Sequence, residues 1–472
     1  MTPFPSPLPG EESRPPSPQQ FKVVGDIVQM RILIRGKQVD LEDLTIRGTA
    51  RIDEIRTPEP GQEPIHIAGD LLTLHGGSTP QAKVEVAGHP AELGGRGLAI
   101  LGGTVHVHRG ENRAWIDGPG EATVPIPEGD SLAAIPLAGS AQPVREPVIT
   151  SPVPGRPHDP AKPPQKMHVV WHDGLVFDGQ TIHLNGEVEA RTATQRVLCP
   201  ALEVTLSQPL DLADLRGKKT MELGRLHMEG GVYLENREVD EFGQPLSHDQ
   251  FKAKNLTIDR IKGRLHADGP GWVGSVRRGI GGMAGVPAGL AGVGQPGNAP
   301  AASALSSIHI QFEQRIEGRL EEHTIEFQRK VRTTYAPAAD FDDLIVARTP
   351  ADLGERGVLM TSDKLAVTEM QVGAQKWLEM EAKENAVVEG SKFTVRASSV
   401  RYTSDKEVLT IEGNGRTDAE IWYQSVPGQP RTYTSARKLR YWIREGEFDG
   451  EDFNILDLQQ LSPRLKLPGG RR

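Results

Sequence analysis

The chain has 472 residues, of which 25% are charged, and its formal net charge is −9. This length is enough for about two to four domains. Because no cluster of Lys and Arg interleaved with aromatic residues is present, the basic face of a nucleic-acid-binding protein is missing and that class is disfavoured. The 52 Gly and 37 Pro residues disfavour long helices and predict many short segments joined by turns.

Stretches rich in Pro or Gly divide the chain into segments. The first of them lacks the basic and apolar regions of a signal peptide, so the protein is expected either to be cytosolic or to have its true start upstream. No window approaches 18 consecutive apolar residues, which predicts no transmembrane helix. In chain order, the predicted segments are a Pro-rich disordered start (1–20), a first repeat (21–140), a Pro-rich linker (141–166), a second repeat (167–273), a Gly/Ala/Pro-rich linker (274–304), a third repeat (305–462) and a tail (463–472).

One short motif occurs once in each repeat, as AWIDGPG (114–120), LHADGPG (265–271) and LTIEGNG (409–415). When the three copies are aligned on its first glycine, the residues around it alternate between apolar and polar, which is typical of half-buried strands. The apolar positions of the aligned copies are Val105, Val107, Ile116, Leu256, Ile258, Leu265, Val400, Tyr402, Leu409 and Ile411.

Each copy is therefore predicted to be a hairpin, with a five-residue turn: RGENR, RIKGR or SDKEV. The Gly-x-Gly is predicted to close the second strand and let the chain bend. The acid before it, which is Asp117, Asp268 or Glu412, is expected on the polar face. Since no convincing helical stripe longer than about ten residues is found, the sequence predicts an all-β fold of many short strands.

Few residues indicate catalysis. GPGWVG (269–274) matches a dinucleotide-binding pattern, but no helix-forming segment follows it. His106 and His108 could ligate a metal but are predicted to lie on an exposed polar strand face. The acidic run EGEFDGED (445–452) is predicted to be a hairpin tip rather than a calcium loop, because Leu456 occupies the twelfth position. The single cysteine, Cys199, is predicted to be buried. No enzyme, metal or cofactor is predicted.

The strand patterns GEVEARTATQRVLCPALEVTL (186–206) and AVVEGSKFTVRASSVRYTSDKEVLTIEGNG (386–415) resemble the lipopolysaccharide-transport OstA/LptA family. The resemblance implies repeated open β-jelly rolls of short antiparallel strands, V-shaped in section (β-taco-like), in a periplasmic or cell-envelope protein. In that family the groove shields the acyl chains of lipopolysaccharide, and the domains stack edge to edge. The resemblance also implies that the ten apolar positions given above line a groove for lipopolysaccharide or another lipid.

Three functions remain open. The first is a non-enzymatic envelope protein that binds lipid acyl chains for transport or outer-membrane assembly, with other β-roll proteins as partners. The second is a structural or protein-interaction scaffold of stacked β-repeats, in which the ten apolar residues are core and no lipid binds. The third, less favoured, is an enzyme that acts on polysaccharide, which would need paired acids beside a groove. An open apolar groove would favour the first, and a closed packed interior the second.

Overall fold

The computed structural model describes residues 20–36, 38–57, 63–95, 97–126, 165–212, 222–240, 242–278, 305–354, 357–372, 375–403, 406, 408–424, 431–442 and 447–456. The predicted tail and most of each predicted linker lie outside these ranges, as do residues 1–19. The chain divides into two compact units rather than three. Unit 1 holds the described residues up to 126 together with 166–179 and 211–212, and unit 2 holds 180–210 and the described residues from 222 onward. Within the described ranges, no helix combines the length and the apolar character needed to cross a bilayer.

Unit 1 contains nine strands, and all its described pairings are antiparallel. The N-terminal strands β1 and β2 both pair with β3, and β3 to β7 then follow one another in order. The strands are β1 (Gln20–Val24), β2 (Ile27–Arg35), β3 (Gln38–Arg56), β4 (His66–His75), β5 (Lys83–Gly95), β6 (Leu98–His108), β7 (Arg113–Ile126), β8 (Gln165–Trp171) and β9 (Gly174–Phe177).

Unit 2 contains eighteen described strands and one short 3-10 helix, Pro350–Leu353. The strands are β10 (Thr181–Arg191), β11 (Gln195–Leu206), β12 (Leu223–Glu229), β13 (Val232–Val239), β14 (Pro245–Ala253), β15 (Asn255–Asp259), β16 (Arg264–Asp268), β17 (Gly271–Arg278), β18 (Leu305–Phe312), β19 (Arg315–Arg319), β20 (Thr324–Ala338), β21 (Val358–Val372), β22 (Gln375–Gly390), β23 (Phe393–Thr403), β24 (Val408–Glu412), β25 (Ala419–Tyr423), β26 (Thr432–Trp442) and β27 (Glu447–Leu456).

The prediction of an all-β protein with repeated antiparallel β-rolls is confirmed. Many strands are longer than predicted, because the chain bends within a strand instead of ending it; β3, for example, has 19 residues. The strand β17 extends into the predicted second linker, and it pairs along its whole length with β18. The second and third predicted repeats therefore belong to one compact unit.

The bends of neighbouring strands lie opposite one another and form a corner in each unit. In unit 1 the pairing slips between Arg47 and Ala50 of β3, where Gly48 and Thr49 have positive φ angles. The facing strands β4, β5 and β6 slip at matching positions. Each strand thus runs along one half-sheet, turns at the corner and continues along a second half-sheet.

Strand β11 shows how the sequence produces such a bend in unit 2. Val197 and Cys199 are buried before the bend, whereas Leu202 and Val204 are buried after it, so the alternation shifts by one residue. The shift falls at Pro200, which cannot donate a backbone hydrogen bond and faces a bulge in β10. Both halves consequently direct their apolar side chains to the same side, which is named the inner face here.

In unit 2 the pairings of ten strands close a ring in the order β11, β12, β15, β16, β19, β20, β18, β17, β14, β13 and back to β11. Short connections cross this ring at the corner. Their backbone groups bond to one another, as where the amide of Gly231 donates to the carbonyl of Lys254 (2.8 Å) and the amide of Gly269 to that of Gln314 (2.7 Å). Backbone hydrogen bonds between neighbouring connections therefore run along the corner, so that few of its backbone polar groups are left unpaired.

Candidate functional site

The three predicted hairpins are present and share one register. Residue pairs at the first aligned position are Val105 with Ile116, Leu256 with Ala267, and Val400 with Ile411. At the second position they are Val107 with Ala114, Ile258 with Leu265, and Tyr402 with Leu409. The repeat detected in the sequence is therefore a repeat of backbone pairing.

The predicted turns are one residue too long. Arg113 pairs with His108, Arg264 with Asp259, and Val408 with Thr403, so each turn has four residues. The fifth residue of each predicted turn is already part of the second strand.

The Gly-x-Gly motif lies at the corner in all three copies. It follows the end of β16 at Asp268 and the end of β24 at Glu412, as predicted. In the first copy β7 continues through the motif, with Gly118 at φ +80° and a slip in its pairing with β6. The glycine lets the strand turn from one half-sheet to the other.

The motif acids lie among polar partners on the opposite, outer face, as predicted. Asp117 is 3.3 Å from Nε2 of His106. Asp268 accepts hydrogen bonds from Asn255, which lowers the pKa of its carboxyl group. Glu412 forms an ion pair with Lys438. Ion pairs this exposed contribute little to stability one by one.

All ten predicted groove residues lie on the inner faces, but they differ in exposure. Val107 is half-buried. The other nine are buried, with exposed fractions between 0% for Leu256 and 5% for Ile258: Val105, Ile116, Leu256, Ile258, Leu265, Val400, Tyr402, Leu409 and Ile411. Burial fits core packing at these nine positions and also fits the floor of a groove.

The inner face of unit 1 is buried beside the corner and half-buried in the next apolar row, and Glu54, two residues beyond Ile52 on β3, is buried again. The row nearest the corner is buried and runs across five strands through Ile46, Leu72, Val86, Val105 and Ile116. On the other half-sheet, the next apolar row is half-buried on every strand. That row consists of Val23, Ile52, Ile67, Leu93, Ile100 and Ala122. Unit 1 thus has an apolar trough with a buried floor and a partly exposed wall.

The inner face of unit 2 is packed and partly polar. Phe312 and Phe327 meet across the corner with ring centroids 6.0 Å apart. Farther along β14 and β17, Asp249 and Arg277 form a buried ion pair, and Ser275 Oγ donates to Asp249 Oδ1 (2.6 Å). This interior is filled by the protein's own side chains.

The histidines considered as metal ligands lie on the outer face of unit 1. His106 stacks on Trp115 with ring centroids 4.6 Å apart, and His108 meets the same ring edge-on at 4.7 Å. They are half-buried rather than fully exposed because the indole covers them. Within the described ranges, no group of three or more His, Cys, Asp or Glu residues could hold a metal ion.

Two further predictions concern Cys199 and the acidic run. Cys199 is buried, as predicted, and burial raises the pKa of its thiol to about 12. Residues 447–452 of the acidic run belong to the edge strand β27, whereas Glu445 lies outside the described residues. The run is thus mostly strand rather than the predicted hairpin tip.

Sequence reasoning missed the half-buried wall of unit 1 and the fully buried Trp171. The wall is built by β1, β3, β4 and β5 as well as by the recognised hairpin. The apolar/polar alternation in LTIRGTARIDEI (44–55) is a signal for β3. Gly48 interrupts the alternation, however, so the segment resembles two short strands instead of one long strand.

No protein-family model matches the chain, and no curated protein matches it either.

Proposed function

We propose that this chain is a non-enzymatic cell-envelope protein that binds lipid acyl chains, such as those of lipopolysaccharide, on the inner face of unit 1. The observation that carries the proposal is the half-buried apolar row from Val23 to Ala122, which crosses six strands without a charged side chain. An alkyl chain laid along it would be stabilised by about 0.8 kcal/mol for each CH₂ group removed from water.

The second candidate is a structural or protein-interaction scaffold without a lipid ligand. The packed interior of unit 2 favours it, since Leu256, Leu265 and Ile411 are at most 2% exposed. The two candidates can apply to different units: unit 2 supplies a rigid stack, and unit 1 binds the ligand.

The N-terminal edge supports the proposed stacking with other β-roll proteins. β2 pairs only with β3 among the described strands. Its apolar side chains are exposed, including Ile27 at 53% and Ile34 at 73%. An apolar edge strand with unpaired backbone groups is a site for adding a strand from another chain. We propose that such stacks serve lipid transport or outer-membrane assembly in the periplasm.

Photocrosslinking tests the lipid proposal. A photoreactive amino acid is placed at Val107 or Ile100 on the inner face of unit 1, and at His106 on the outer face as the matched control. The protein is expressed in a cell with an outer membrane. We expect lipid adducts at Val107 and Ile100 and none at His106.

The same experiment at Ile258 and Tyr402, with Thr257 and Arg401 as outward controls, tests unit 2. We expect no lipid adduct there, since the described interior of unit 2 is filled by the protein's own side chains, including the Asp249–Arg277 ion pair. Folded protein that gives no lipid adduct at Val107 or Ile100 would refute the lipid proposal and leave the scaffold.

A further inference from the structure

Trp171 is a buried hydrogen-bond donor without an acceptor. Its side chain is 0% exposed, and its indole N–H has no hydrogen-bond partner among the described residues. Leaving a buried donor unpaired costs about 1–3 kcal/mol, and such groups are rare in native proteins. A phenylalanine would bury a similar apolar ring at this position without that cost.

The indole lies on the inner face of unit 1 because Gly120 leaves room there. A β-carbon at residue 120 would come within 2.5 Å of Cζ2 and 2.9 Å of Cε2 of Trp171. Gly120 pairs with Gly102 across β6 and β7, and a β-carbon on Gly102 would approach Ile116 to 2.6 Å. Cε2 is bonded to the indole nitrogen, so Gly120 lies beside the ring carbon next to the N–H group.

The surroundings of Trp171 on this face are apolar and lead outward to the half-buried wall. The next pair along β6 and β7 is Ile100 with Ala122, and both are half-buried. The polar groups of these strands point to the outer face, where His168 lies 3.5 Å from Glu121 and 3.4 Å from Thr123. The half-buried row therefore begins at the inward-facing pair next to Gly120, the glycine on which the indole packs.

We propose that the Trp171 indole N–H donates a hydrogen bond to the carbonyl oxygen of an ester- or amide-linked acyl chain bound in the trough of unit 1. This inference rests on the proposed lipid-binding function and names the part of the lipid that is recognised. An alkane would leave the donor unpaired. A free carboxylate or a phosphate would bring a charge beside a fully buried indole, which is costly unless a cation pairs with it. The chemistry of the site thus favours a neutral acyl group.

Binding assays on the full chain test this assignment with three probes of equal chain length: a fatty acid methyl ester, an alkane and the fatty acid salt. The variant Trp171→Phe keeps the apolar ring and removes the N–H. The matched control is Trp422→Phe, which removes an outward-facing indole that packs against Arg396 in unit 2. We expect Trp171→Phe to bind the ester about tenfold more weakly than wild type, which corresponds to one hydrogen bond. Its affinity for the alkane should be unchanged, and Trp422→Phe should behave as wild type.

A spectroscopic readout follows binding of the probes to the wild-type protein itself. The chain has six Trp residues, so the wild-type protein gives six indole N–H resonances, and the one lost in Trp171→Phe is that of Trp171. Addition of the ester should move this resonance downfield, whereas the alkane should not.

Equal loss of ester and alkane binding in Trp171→Phe, or an unmoved resonance with bound ester, overturns the assignment while chain binding by the trough stands. Failure of wild type to bind any probe overturns the lipid-binding function, and this inference with it.

Discussion

Arg277 and Asp249 form a buried ion pair on the inner face of unit 2, in which the guanidinium contacts both carboxylate oxygens. Nη2 of Arg277 donates to both carboxylate oxygens of Asp249 at 3.0 Å, and Ser275 and Ser247 donate to the same carboxylate. Both charged side chains are almost fully buried. A pair in this setting depends on both partners, because either charge alone would be buried without compensation.

We therefore expect Asp249→Asn to destabilise unit 2 by about 3–5 kcal/mol. Replacing both residues by apolar ones, as in Asp249→Leu with Arg277→Met, should recover much of that loss, since no charge is then buried. Urea unfolding of the full chain measures both variants. A single variant as stable as wild type would show that the pair is not compensating a buried charge.

His309 should make unit 2 less stable in acid. Burial lowers the pKa of its imidazole from 6.5 to about 4. The imidazole is therefore protonated below about pH 6.5 in the unfolded chain but only below about pH 4 in the folded chain. The free energy of unfolding consequently decreases as the pH falls through this window, by up to about 3 kcal/mol. His309→Gln should flatten the loss between pH 6.5 and 4 in thermal or urea unfolding. The matched control His89→Gln, at an exposed histidine, should leave the profile unchanged, and an equal effect of both would contradict the prediction.

Cys199 should be unreactive in the native protein. With its pKa raised to about 12, almost no thiolate exists at pH 8, and thiolate is the form that attacks disulfide reagents. We expect labelling by an aromatic disulfide to proceed only as fast as the protein unfolds, and to become rapid in denaturant. Complete labelling of folded protein within the mixing time would show that the thiol is accessible.

The two glycines of the first motif should respond differently to alanine. Gly118 has φ +80° and open space around it, so Gly118→Ala should cost only the backbone strain of about 1–2 kcal/mol. Gly120→Ala should cost more, because its β-carbon would overlap Trp171. The additional substitution Trp171→Leu should recover part of the loss for Gly120→Ala and none for Gly118→Ala, as measured by denaturant unfolding. Equal recovery in both would argue against the overlap as the cause.

The sequence predicted the local part of this fold well. Alternation around Val105, Leu256 and Val400 identified three hairpins with one register, because cross-strand pairs on a buried face fix which side chains must be apolar. The glycines of the motif also indicated a bend. The same alternation placed all ten candidate residues on inner faces.

The sequence did not predict that strands continue through the corner, since some bends use ordinary residues. Positive φ angles occur at non-glycine residues in several bends, namely at Glu187 of β10, Arg329 and Lys330 of β20, and Glu384 of β22. Because these residue types are common elsewhere in strands, the sequence does not mark such bends. The pairing of β17 with β18 was also missed, because 26 residues separate the two strands and only the folded stack brings them together. The difference in exposure between the two inner faces depends on such long-range contacts.

The corner also constrains how a protein of this kind can change its length. Each crossing of the corner by the chain, called a pass here, contributes one half-strand to each half-sheet and runs antiparallel to its neighbours. A duplication that keeps all pairings antiparallel must therefore add passes two at a time. Loss of β21 and β22 together, for example, would leave β20 facing β23 in the same antiparallel sense that each has now. A gene that gains or loses two passes therefore keeps antiparallel pairing downstream, whereas a step of one pass would reverse the direction of every later strand.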